Sequence, residues 1–65
     1  MEIVNNRNGY QYAVIEKQGV KTLFKNLKNG EYVVGSHAKK YEDGIEWCFG
    51  HYFNNLQSAV EYLYK

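Results

Sequence analysis

Between residues 10 and 53, apolar and polar side chains alternate in short runs separated by glycine-containing dipeptides. The runs 10–17 (YQYAVIEK), 31–38 and 45–53 are rich in aromatic and β-branched residues, and Asn8-Gly9, Gln18-Gly19, Asn29-Gly30 and Asp43-Gly44 bound them. Such dipeptides tolerate positive φ, as tight hairpin turns require, so the pattern predicts strand-turn-strand units. A short first strand is predicted near 2–5. After Phe53 the period changes. Leu56, Ala59, Val60 and Leu63 fall at helical spacing, Asn54 stands where an N-cap belongs, and Gln57 follows it by three residues as in a capping box. The expected fold class is α+β, an antiparallel β-meander of four to five strands with one C-terminal helix, 55–64, packed on one face. The whole chain, 1–65, forms a single domain.

Residues 20–28 satisfy two templates. Val20, Leu23, Phe24 and Leu27 sit at helical spacing with lysines opposite, and Asn29-Gly30 would serve as a C-cap. Against this, Lys17-Gln18-Gly19-Val20 is a good hairpin connection, Val20 and Thr22 are β-branched, and no competent N-cap precedes the segment. The strand is the better reading.

With Asp43-Gly44 as a two-residue turn, Val34, Ser36, Ala38 and Lys40 lie opposite Phe53, His51, Phe49 and Trp47 on one face. That face is expected to be the core side. The helix stripe should meet Trp47, Phe49 and Phe53, with Lys65 complementing the negative end of the helix dipole and Tyr62 and Tyr64 partly exposed. Gly35, His37, Lys39 and Tyr41 would face solvent or a partner beside Tyr52, Gly50, Cys48 and Glu46.

At 65 residues a domain buries only about 60% of the surface its unfolded chain exposes. Stability is thin at this size, and the large side chains matter: seven Tyr, three Phe and one Trp. Rings left over from the core suit an interface with a target or with a second copy, which makes a homodimer an expected state. One cysteine, Cys48, permits no internal disulfide and suits a reducing compartment. With no basic-then-apolar leader and no stretch of about 18 apolar residues, a cytoplasmic location away from membranes is expected.

The net charge of +1 is unevenly spread: five basic and two acidic residues in 1–30, three and five in 31–65. The domain-wide basic character typical of nucleic-acid binders is absent. Lys17, Lys21, Lys25 and Lys28 nevertheless run through a stretch without acid near Tyr10, Tyr12 and Phe24. Basic residues interleaved with aromatics are what single-strand binding uses, so Tyr10, Tyr12, Lys17, Lys21, Lys25 and Lys28 form a candidate nucleic-acid surface. The plainer reading is that the lysines protect a sheet edge and the tyrosines fill the core.

Other chemistry is thinner. His37, Cys48 and His51 are the soft ligands, too few for zinc and divided between two faces. Glu42, Asp43 and Glu46 sit at a hairpin tip beside Lys39 and Lys40, where nothing desolvates them. No nucleophile, base and orienting group can be placed together. No cofactor, metal site or catalytic residue is expected, and the chain reads as a non-enzymatic binding module.

The residues Asn8-Gly9-Tyr10, Glu31-Tyr32-Val33-Val34, Asp43-Gly44, Trp47, Gly50-His51-Tyr52-Phe53 and Ala59 resemble the pattern of a group of small proteins carried by phages and mobile elements of Gram-positive bacteria. In that pattern a GHYF-like strand end leads into the last helix. The resemblance implies an accessory protein, acting as inhibitor or regulator through protein contacts, and brings no catalytic residue. In outline alone, the meander and helix are also similar to PC4-like single-strand-binding proteins, some of which act in counter-defence against host CRISPR systems.

Overall fold

Turn glycines divide the chain as the pattern requires. In the structure, a computed structural model that describes residues 2–65, Gly9, Gly19, Gly30 and Gly44 have φ of 93°, 59°, 78° and 141°. Between and beyond them run β1 (Glu2–Asn5), β2 (Gln11–Gln18), β3 (Lys21–Asn26), β4 (Tyr32–Tyr41), β5 (Gly44–Phe53) and α1 (Leu56–Leu63). The strands form one sheet in the order β1-β2-β3-β4-β5 with antiparallel neighbours, and α1 packs against it. The protein is α+β.

Residues 21–26 are strand, and their side chains show why. Leu23 and Phe24 are both 0% exposed yet belong to two different apolar clusters, as successive residues of a strand do. The outer members of the helical pattern, Val20 and Leu27, are exposed. At the end of β3, Asn26 is buried and hydrogen-bonded through both its side-chain oxygen and nitrogen. Its side-chain oxygen accepts the N–H of Lys28 at 2.8 Å and its amide donates to the Tyr12 hydroxyl at 3.4 Å, which anchors the turn to the core.

The expectation of a single core face is corrected, because the sheet is apolar on both faces. On the outer face Leu23, Val34, Ala59 and Leu63 pack with Tyr32, Phe53, Val60 and Tyr62. On the inner face Val4, Tyr12, Phe24, Val33 and Ile45 pack with Val14, Ala38 and Trp47. Trp47 stacks on Phe24 at 4.4 Å and meets Tyr12 edge-on at 5.0 Å. The helix therefore meets Phe53 but not Trp47, and Phe49 is 77% exposed.

The double bulge in the β4–β5 hairpin produces the difference; the turn itself moves the register by two residues and leaves the faces unchanged. The β4–β5 loop is Glu42-Asp43, with Tyr41 opposite Gly44, so Val34 meets His51 where a turn one residue later would give Phe53. The register then shifts on both sides of Ser36↔Cys48, near the two non-glycine residues of positive φ, His37 (54°) and Phe49 (51°). A bulge changes which face the following residues use and sharpens the local twist. Past this double bulge, Ala38 and Trp47 turn to the inner face and the hairpin bends toward β1. Asn6 bridges Ile45 there, while Lys40 pairs with Glu2 at 2.6 Å and Arg7 with Asp43 and Glu46 at 3.1 Å.

The helix begins one residue later than the pattern predicts. Asn55, not Asn54, is the N-cap, its side chain accepting the Ser58 N–H at 2.8 Å. Tyr64 caps the C-terminus, and no basic residue lies in the last turn, so Lys65 stands beyond the position expected for it.

The inner face leaves no room above Gly35, where a Cβ would stand 2.4 Å from Cγ and Cδ1 of Trp47. Gly35→Ala is expected to destabilise the fold by about 1–3 kcal/mol through overpacking. Urea unfolding followed by Trp47 emission measures it, and a loss within roughly 0.5 kcal/mol, the range of an inert substitution, would show that the indole is free to move aside.

Candidate functional site

The lysines and tyrosines singled out from the sequence do not form one track. Tyr12 is 6% exposed, its ring enclosed by Phe24 and Trp47, so it presents no face to a base. Tyr10 is exposed, with the Lys28 ammonium 5.5 Å from its ring centroid. On the outer face Lys21 donates to the Tyr62 carbonyl at 3.1 Å and lies 4.6 Å from that ring, and Lys25 lies 5.6 Å from the Tyr32 ring. Lys17 lines an inner-face cleft with Thr22, Phe24 and Ala38. A cationic Lys over an aromatic face is held by the ring quadrupole, which accounts for Lys21, Lys25 and Lys28 within the fold.

Among the described residues no three His, Cys, Asp or Glu side chains converge as metal ligands would. His51 packs against Tyr62 with ring centroids 4.6 Å apart. The acidic hairpin tip is engaged by Arg7, 36 residues from Asp43 in sequence. The Asp43 hydrogen bond, reinforced by both nearby carboxylates, raises the Arg7 pKa further, so the cation is permanent.

The surface that stands out is the outer edge of β5. Sequence reasoning assigned these residues to faces and missed the edge, although one signal marks it: no Asp, Glu, Lys or Arg occurs between Glu46 and Glu61. Within this run Phe49 is 77% and Tyr52 61% exposed, and Leu56 is exposed too. Cys48, Gly50 and His51 are exposed as well. Asn6, just past β1, bridges β5 at Ile45, and the edge from Cys48 to Phe53 has no paired strand beside it among the described residues.

Strand alternation fixes which backbone groups that edge presents. The Asn26 N–H donates to the Glu31 carbonyl at 2.8 Å, so Glu31, Val33 and Gly35 direct their main-chain groups toward β3. Tyr32 and Val34 then point to β5, where Phe53 and His51 face them. Gly50 and Tyr52 consequently direct N–H and C=O outward. An uncharged edge with outward donors and acceptors is a template for another strand. Native edges are usually blunted by charge; here Phe49, at the bulge, is instead a large apolar side chain in a strained conformation, a combination that recurs at contact sites.

A shallow cleft of about 220 Å³ lies beside this edge on the inner face, lined by Asn6, Asn8, Tyr12, Glu46, Trp47 and Tyr52. Burial pushes the Tyr12 phenol up, the nearby Tyr52 adds to the rise, and the hydrogen bond from Asn26 opposes it. Among the described residues no helix is long and apolar enough to cross a membrane. Compared with protein-family models, curated protein sequences and solved structures, the chain matches none.

Two predictions follow from these placements. A tyrosine whose folded pKa is raised supports the fold fully below its unfolded value of 10.0 and loses that support as pH rises through the folded pKa. Alkaline unfolding above that value should therefore be weaker in Tyr12→Phe than in the wild type; an identical pH profile for both would place the alkaline transition elsewhere. For single strands, four lysines tracking phosphates would give a slope of log affinity against log salt near −3, at roughly −0.7 to −0.9 per contact. With the lysines divided between faces, fluorescence anisotropy on labelled oligonucleotides is expected to show a shallower slope, and a value near −3 that falls in Lys21→Ala and Lys25→Ala would restore the phosphate track.

Proposed function

We propose that the protein is a non-enzymatic binding module that acts through protein–protein contacts, as an inhibitor or regulator of its target. The observation that carries this reading is the uncharged β5 edge with Phe49 and Tyr52 standing out from it. Aromatic anchors in an uncharged patch dominate the energetics of protein interfaces, where charge is depleted at the centre. The dispersal of the titratable side chains supports a binding role over a chemical one. The likeness to small accessory proteins of phages and mobile elements supports a role beside a host protein, and the lone Cys48 suits the cytoplasm. The nucleic-acid reading retains only Tyr10 with Lys28 and the ring-bound Lys21 and Lys25.

Immobilised protein should capture a host target that binds the purified module saturably in isothermal titration. Phe49→Asp is expected to weaken that affinity by at least about tenfold, the effect of a buried anchor lost from an interface. Failure to find any saturable protein target, or equal affinity for wild type and Phe49→Asp, would overturn the assignment of this surface.

A further inference from the structure

We propose that the free edge of β5 pairs with the same edge of a second copy, antiparallel about a two-fold axis at His51, so that two sheets join into one. This deepens the reading of β5 as the contact surface and names one occupant. Hydrogen-bond direction selects the axis. An antiparallel pair joins residues whose main-chain groups face each other, so the axis must pass through a residue. Placed at His51, it sets Gly50 opposite Tyr52 of the second copy and Tyr52 opposite its Gly50, and all four residues direct their N–H and C=O into the gap. Placed at Gly50, it would set Tyr52 against Cys48, whose place opposite Ser36 turns its groups toward β4. Placed at Tyr52, it would set Gly50 against Asn54, beyond the end of the strand.

Charge and exposure favour the same partner. A two-fold axis brings like against like, and the run between Glu46 and Glu61 carries no formal charge to repel its own image. The opposite side of the sheet is different, since ion pairs from Lys40 to Glu2 and from Arg7 to Asp43 and Glu46 tie β1 to the hairpin tip. By the same count Phe49, 77% exposed in the single chain, falls opposite Phe53 of the second copy, an aromatic cross-strand pair. The paired segments are short, which puts the interface at the small end of the specific range, below about 1,200 Å², and the dissociation constant in the micromolar range, roughly 1–100 μM.

Sedimentation of the full chain from about 1 μM to about 1 mM should show a monomer–dimer equilibrium with its midpoint in that range. Tyr52→Pro removes one outward N–H and leaves the ladder to β4 intact; His51→Lys places two cations on the axis. Each should raise the midpoint at least about tenfold, the scale of a lost interface hydrogen bond or a like-charge contact. Trp47 emission shows whether each variant is folded, and if Tyr52→Pro is not, His51→Lys decides alone. On oxidation, His51→Cys in a Cys48→Ser background should give a covalent dimer, whereas Asn5→Cys on β1 in the same background should not. A monomer at every concentration, or a dimer indifferent to His51→Lys, overturns the proposal. A monomeric His51→Lys variant that still binds the purified target shows that the target reading stands apart from the dimer; a dimer that binds no target leaves self-pairing without it.

Discussion

The Trp47 indole stacks on Phe24 and lies against the backbone of Gly35, and the inner face of the sheet is arranged around that contact. A meander of five short strands with one helix can bury one face simply, by laying the helix on it. Burying both faces requires the sheet to coil until its first strand approaches the last hairpin. Trp47 is the side chain large enough to fill the space that coiling creates, and Gly35 is the residue small enough to let it in. With Tyr12, Val4 and Ile45 completing the cluster, a chain of 65 residues acquires a second core that a flat sheet would lack. At about 25 cal/mol per Å² of apolar surface, this second layer is decisive for a domain whose balance otherwise lies near zero.

The bend that brings Trp47 inside is the double bulge in the β4–β5 hairpin. His37 and Phe49 adopt φ of 54° and 51°, conformations that cost on the order of 1–3 kcal/mol each for residues with a Cβ. The shifts around Ser36↔Cys48 fall on opposite strands and cancel, so pairing continues with the same register at both ends of the hairpin. The fold uses the bend, yet it does not use the side chain of Phe49, which points to a role for that ring outside the fold. The same geometry leaves the outer edge of β5 open while β1 closes on the hairpin's other end. Architecture and the proposed binding surface thus have a common origin in one hairpin.

Much of the architecture was readable from the sequence because it rests on local rules. The turn glycines, the alternating runs and the stripe Ala59, Val60, Leu63 each carry their own signal. Residues 20–28 showed the limit of periodicity: Leu23 and Phe24 are adjacent, as either template allows. The strand was therefore legible only from the Gln18-Gly19 turn, the β-branched residues and the missing N-cap, and apolar surface on both faces accounts for it. The helix was placed correctly to within a residue, while its cap moved from Asn54 to Asn55 because two asparagines stand in tandem. The core assignment failed at Trp47 and Phe49 because a bulge at non-glycine residues leaves no mark in the sequence. The nucleic-acid candidates were read as a linear series, but alternation and the bulge near Ile15 place Lys17 apart from Lys21 and Lys25, and Tyr12 was exposed only by assumption.

Phe49 is strained and 77% exposed, so the fold needs only the bend at its position. The test is the thermal unfolding of Phe49→Gly followed by Trp47 fluorescence at sub-micromolar concentration, below the range of the proposed dimer. Glycine adopts positive φ without a Cβ penalty, and relief of that strain offsets its greater unfolded-state entropy, so stability should be unchanged or higher by up to about 1 kcal/mol. A loss of about 2 kcal/mol or more, the scale of removing a buried aromatic contact, would show that Phe49 belongs to the core and would contradict the account.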